Sequence, residues 1–442
     1  MIEKSFKMRR ILFSTAILIS GMFFSQQIKF EEYDLPNGLH VILHQDNTAP
    51  IVTTGVMYHV GAKDEIKGRS GFAHFFEHLL FEGTPNIKRG EWFKIVSSNG
   101  GKNNANTTKD RTYYFESFPS NNQELGLWME SERMRQAIIN QIGVDTQREV
   151  VKEEKKLRID NQPYGNLAIS IYAHLFDKHP YSRNIIGSLN DLNSAKLEEF
   201  HTFYKKYYVP NNATLVVAGD IKPEQTKKWI EKYYSGIPKG PLITKNIPKD
   251  EPITREKEVT ELDANIQLPA YVFAYRSASL KEKDTYALNM ISSYLDGGNS
   301  SVMYKKFKDQ EQKALDMGVN NDASEDAGVF TIHVIPMSNI TKQTIQSDID
   351  EEIKKLQTTL ISQEDYQKIQ NQYENQIVNQ NSSINGIAEF LATNHVLTGK
   401  TNLINEEIDI YRSITRKDIQ NAAKKYLNPN QRVIINYMPG KK

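Results

Sequence analysis

Residues 68–84 read GRSGFAHFFEHLLFEGT, an amphipathic run that sets His74 and His78 one helical turn apart with Glu77 beside them. Two neutral imidazoles at that spacing can grip one Zn2+ ion, and a carboxylate on the same face can take a proton from a water the metal acidifies. The order H-x-x-E-H is the inverse of H-E-x-x-H and one of the zinc-peptidase arrangements. With ten histidines in the chain, a chance match is expected on the order of one to two times per hundred such sequences. The bland alternative, two exposed helix histidines, is outranked by the spacing.

A catalytic zinc takes three protein ligands and keeps one position open. No other histidine sits in a comparable context. His40, His44, His59 and His333 fall in strand-like segments, and His174, His179, His201 and His395 stand isolated, each read as a satisfied structural histidine. The carboxylate-rich helix around Glu149, Glu153 and Glu154 is the better source. Spacing alone leaves all three glutamates open.

Composition bounds the rest. The 442 residues are 39% apolar and 25% charged, an ordinary globular balance that excludes collagen-like and wholly disordered chains. A net charge of +1 gives no footprint for nucleic acid. The absence of cysteine excludes disulfides, thiolate metal sites and cysteine nucleophiles. Residues 1–10 are basic and residues 11–24 (ILFSTAILISGMFF) are uncharged and mostly apolar. That pattern predicts a signal peptide over 1–25 and an exported chain, periplasmic or secreted; an uncleaved anchor is the alternative, although the run is short for a span.

Strand-like and helix-like stretches alternate after Gln26, and a Pro- and Gly-rich texture around 236–252 interrupts them near the middle. The flanks echo each other. KKYYVPN (205–211) matches KKYLNPN (424–430), and AHFFEHLLFEG (73–83) pairs with ALNMISSYLDGG from Ala287. Two echoes in one order imply a duplicated domain. The expected division is 26–240, a linker at 241–258, and 259–442. Where the first half has His74, Glu77 and His78, the second has Leu288, Ile291 and Ser292, so the second half holds no metal there.

The 68–84 string resembles the active-site helix of the pitrilysin, insulinase and mitochondrial processing peptidase family. NGGKNNANTTKDRTYYF (99–115) resembles its substrate-binding edge strand, REVVKEEKKLRIDNQPYG (148–165) the helix of its third ligand, and YVPNNATLVVAGD (208–220) its domain-closing strand. The resemblance implies an α+β fold of two homologous domains, each a mostly antiparallel sheet packed with helices. It implies a zinc metalloendopeptidase acting on short or unfolded peptides, with His74, His78 and Glu154 as metal ligands and Glu77 as general base. Substrate would lie extended along Asn104 and Ala105. Many members carry a glutamate seven positions before the third ligand; here that position is Gln147.

Family members enclose substrate between two two-domain halves, and the half opposite the zinc supplies an Arg and a Tyr. Aligning LDGGNSSVMYKKFKDQEQKALDMGV (295–319) puts Gln310 and Met317 at those positions. The expectation is a heterodimer with a related subunit carrying the Arg and Tyr, with an active homodimer as the competing assembly. A non-catalytic structural subunit of the same fold and a zinc storage or transport role are the rival functions; four intact motif positions and the lack of clustered extra ligands weigh against them.

Overall fold

The computed structural model describes residues 27–440, and the expected leader lies outside them. Eleven strands form two sheets in this part of the chain. The first runs in the order β1 (Glu31–Asp34), β2 (His40–Gln45), β6 (Ala213–Gly219), β3 (Ile51–Tyr58), β5 (Thr112–Pro119), β4 (Lys102–Thr107). The second runs β7 (Lys257–Asp263), β11 (Arg432–Pro439), β8 (Ala270–Ser277), β10 (Gly328–Pro336), β9 (Ala314–Ala323). In each sheet one pair is parallel, β2 with β6 inside the first and β7 with β11 at the edge of the second, and every other pair is antiparallel. The orders are the same once β1, an extra edge strand, is set aside. The two echoed strings therefore mark equivalent places: a strand entered through a Pro-Asn turn, and a helix over the sheet.

The helices that place the site are α1 (Phe72–Leu79), α2 (Gln123–Gln136), α3 (Gln141–Lys155), α4 (Leu167–Leu175) and α5 (Leu197–Tyr207), followed in the second half by α6 (Asp284–Asp296), α7 (Lys342–Thr358), α8 (Gln363–Gln380), α9 (Ile384–Thr398) and α10 (Arg416–Tyr426). Alternation along the strands sends side chains to two cores per sheet. In the first sheet Leu43, Val56, Leu215 and Val217 meet α1, α2 and α5, while Ile42, Met57 and Val216 meet Ile387, Ala388 and Leu391 of α9, a helix from the second half. In the second sheet Phe273, Phe330 and Ile434 meet α6, α7 and α10, while Val272, Val433 and Ile435 meet Ile171 and Leu175 of α4, from the first half. Each half lends the other the helix that covers its outer sheet face.

Residues 238–256 carry no helix or strand. They are tied down: the Asp250 carboxylate accepts the backbone N–H groups of Asp177, Lys178 and His179 at 2.8, 2.7 and 3.0 Å, and Lys245 Nζ lies 3.0 Å from Asp64. A buried ion cluster adds a second tie. Lys63 Nζ sits 3.0 Å from Asp110, and 2.6 and 3.0 Å from Glu325 and Asp326 of the β9–β10 turn.

Candidate metal and active site

Helix α1 is fixed before any ligand is considered. Phe72, Phe75, Phe76 and Leu79 are buried on one face, where Phe72 stacks on Phe200 at 4.6 Å and Phe76 meets Tyr208 at 4.9 Å. Its first turn is capped from a distance: the buried Glu65 carboxylate accepts the Gly71 and Ala73 N–H groups at 3.0 and 2.9 Å. Gly71 has φ +91°, and a Cβ there would fall 2.8 Å from the Gly187 Cα, so the chain before the helix needs glycine at this crossing. The opposite face carries His74, Glu77 and His78.

Helix α3 brings Glu154 to them. Asn140 caps it by accepting the Gly143 N–H at 2.8 Å, Val144 and Val151 bury its inner face, and just beyond Glu154 it loosens into a π turn over Lys156–Asp160. Glu154 Oε1 pairs with Arg158 at 2.9 Å. Its Oε2 is buried with no well-aligned hydrogen-bond partner, yet lies 3.2 Å from His78 Nε2 and 3.5 Å from His74 Nε2. Two ligands at ~2.0 Å from one tetrahedral zinc lie ~3.3 Å apart, so this convergence has the span and the N/O donor set of a zinc site. Burial, with His78 next to it, brings His74 down to about 4 against the pull of Glu154, which keeps its imidazole neutral and its lone pair available. Glu154 is held below the ordinary carboxylate range by His78 at its side, against its burial. The structure thus brings together three of the residues the sequence singled out as ligands, and of the three open glutamates it is Glu154 that meets the histidines; Glu149 pairs with Lys152, and Glu153, at the cleft's rim, pairs with Lys156.

Glu77 faces the same cleft, of about 1090 Å³, which Asn104 and Ala105 of edge strand β4 also line. Burial raises the Glu77 carboxyl, and the Thr107 hydroxyl, donating to its Oε2 at 2.6 Å, opposes that rise. Among the described residues β4 pairs only with β5, so its outer edge has no strand partner. Apolar Phe81, Phe93, Val150 and Leu157 complete the walls.

Other expected positions sit elsewhere. Gln147 donates to Glu82 at 2.6 Å rather than serving the histidines. Leu288 and Ile291 are fully buried in the second core, and the Ser292 hydroxyl donates to the Val319 carbonyl at 2.7 Å, so no ligand set forms at that place in the second half. Gln310 is exposed at a helix end, and Met317 is buried in the second core. Sequence reasoning did not single out Thr107, Arg158 or Glu65. Thr107 and Arg158 lie inside the strings quoted above, but only the folded contacts reveal their partners.

A duplicated α+β chain with an inverted histidine–glutamate motif over one sheet belongs to the class of M16-type metallopeptidase folds. The insulinase (peptidase family M16) domain matches residues 40–188 and the peptidase M16 inactive domain matches residues 194–373, together well over half of the sequence, and the chain is a member of this peptidase family. It is 29% identical over 453 residues to the zinc protease PqqE of Helicobacter pylori, covering 99% of this chain and 100% of that protein. It is 24% identical over 269 residues to a probable mitochondrial-processing peptidase subunit beta of Arabidopsis thaliana, spanning 61% of this chain and 50% of that one. The crystal structure of a protease from Helicobacter pylori superposes with a TM-score of 0.86 at 27% identity, covering 93% of this chain and 99% of that one. The periplasmic protease PqqL of Escherichia coli shares the fold, at TM-score 0.76 and 17% identity, over 92% of this chain and 47% of that chain.

Proposed function

We propose that this chain is an exported zinc metalloendopeptidase that hydrolyses short or unfolded peptides. The observation that carries the reading is the meeting of His74, His78 and Glu154 from two helices, with one Glu154 oxygen left without a hydrogen bond between the two imidazoles. Zinc held by these three residues would supply Lewis acidity toward a carbonyl oxygen and acidify a water molecule. Glu77 accepts the proton as that water's oxygen attacks the scissile carbonyl carbon, and passes it to the amine nitrogen as the C–N bond breaks. The raised carboxyl suits Glu77 to hold a proton between the two steps. Peptide main chain adds to the free edge of β4 beside Asn104 and Ala105, which reads backbone more than side chains and gives broad selectivity.

The half-chamber reading rests on Gln310 and Met317. An exposed amide and a buried thioether leave this chain without the cation and phenol expected opposite the metal, so a related subunit supplies them in a heterodimer. The plant relative is named as a subunit, and PqqL is about twice this length. Export rests on the basic-then-apolar leader and on the periplasmic setting of PqqL. Among the described residues no helix is long and apolar enough to cross a membrane.

Metal analysis tests the site directly. His78→Gln and Glu154→Gln should each lower zinc content by one equivalent per chain, whereas Glu77→Gln should leave it unchanged. Undiminished zinc in the first two variants would contradict the ligand assignment.

A further inference from the structure

The duplication builds a second corner of helix and edge strand in the later half, and different side chains fill it. Helix α6 and edge strand β9 stand there as α1 and β4 stand in the first half, and Ser292 takes the place of His78. Helix α8 and the helix Leu403–Ser413 close over this corner and leave a concave pocket of about 380 Å³. Asparagine and glutamine amides dominate its lining. Ile377 is the one aliphatic side chain among the described residues that line it, and no lysine, arginine or histidine is present there.

The lining divides into a committed set and a free set. Asn289 donates from Nδ2 to the Tyr411 hydroxyl at 2.8 Å and accepts from Asn321 Nδ2 at 2.8 Å, while the Tyr373 hydroxyl donates to the Asn289 carbonyl at 2.7 Å. The Tyr373 and Tyr411 rings stack with centroids 4.3 Å apart and planes within 11°. This frame is formed without a ligand. Among the described residues, the side chains of Asn320, Gln376 and Gln380 make no hydrogen bond, and Glu407 has neither a hydrogen bond nor an ion pair. Burial alone pushes the Glu407 carboxyl up to about 7. A carboxyl perturbed in this way inside a cleft, with no partner of its own, marks a binding site more than a packing position.

We propose that this pocket binds an organic cation, an alkylammonium or guanidinium group, with Glu407 as counter-ion and the amide oxygens of Asn320, Gln376 and Gln380 accepting its remaining N–H groups. Both cations are donors only, and the free set offers them acceptors. A neutral polyol would leave the carboxylate uncompensated, an anion would add a like charge, and calcium would find a single charged ligand. The pocket does not depend on the zinc assignment, since its lining shares no residue with the peptide cleft.

Titration calorimetry of the full chain with agmatine reads the proposal. Wild type should bind one equivalent, and His78→Gln should bind it with the same affinity. Glu407→Gln keeps the shape and removes the charge, and should weaken binding at least tenfold. That variant loses an uncompensated buried charge, so it should melt no lower than wild type, which separates lost binding from lost folding. Gln376→Ala, at an exposed helix position, should weaken binding by a smaller factor. A tripeptide amide containing arginine and its citrulline twin, titrated with a chelator present, separate the two sources of such a cation. Tighter binding of the arginine peptide than of agmatine, lost in Glu407→Gln, assigns the pocket to a basic side chain; agmatine bound at least as tightly assigns it to a free amine. Neither compound bound at ~10 mM, agmatine bound equally by Glu407→Gln, or the citrulline peptide bound as well as the arginine peptide would overturn the site.

Discussion

Thr107 is the residue that most cleanly separates the chemistry of Glu77 from its placement. Its hydroxyl donates to the Glu77 carboxylate and favours the charged form, while burial disfavours it. Thr107→Val keeps the shape and removes the donor, so the Glu77 carboxyl should rise further. The acidic limb of a kcat/KM–pH profile should then move to higher pH, with zinc content unchanged. An unmoved limb would mean that Glu77 is not the group that titrates. The residue scale is also where sequence was most informative. The two histidines and Glu77 follow from helical spacing alone, because one helix presents them on one face. Glu154 needed the family resemblance, since three glutamates share its helix and only folding decides which one points inward. Glu65 was out of reach: a carboxylate six and eight residues before the N–H groups it caps leaves no periodic trace.

At the scale of elements, the exchange of α4 and α9 is the least legible feature of the chain. Helical, largely apolar sequences announce burial but not the surface they are buried against, so both segments read as parts of their own halves. The equivalence of the two halves was better marked, because the Pro-Asn turns and the echoed strings recur in the same order in both, although they leave the strand order open. The exchange has an energetic consequence. Leu391 is fully buried against the first sheet although it belongs to the second half. Leu391→Ala should cost about 2–5 kcal/mol, the range for a buried leucine that leaves a cavity. Denaturant unfolding should show that loss in one transition shared by both halves. Two separated transitions, only one of them shifted, would mean that the halves fold as independent units.

The whole molecule is held by the contacts between its halves, and the Lys63 cluster is the most deeply buried of the ionic ones. Removing the cation by Lys63→Met strands Asp110, Glu325 and Asp326 and should cost about 3–5 kcal/mol, measurable as a lowered denaturation midpoint. Although burial opposes both shifts, His59 and Lys63 hold Glu325 far below the ordinary glutamate range, and Asp110 with Glu325 raises Lys63. The Glu325 contribution is therefore present above about pH 4 and lost as pH falls further; that of Lys63 is complete below about pH 10 and lost at higher pH. Acid should therefore lower the stability of the whole two-half unit below about pH 4, and Lys63→Met should flatten that acid limb. On the same scale, a related subunit bearing the missing Arg and Tyr should raise peptide turnover by about 10²–10³, the usual worth of one donor aimed at developing negative charge.

Hydrolysis of a quenched, unstructured peptide by the zinc-loaded chain, with Glu77→Gln beside it, bears on the catalytic assignment most directly. The structure predicts chelator-sensitive cleavage by the wild-type chain, slow while the partner half is absent, and none by Glu77→Gln despite its bound zinc. Cleavage by Glu77→Gln at the wild-type rate would contradict the account.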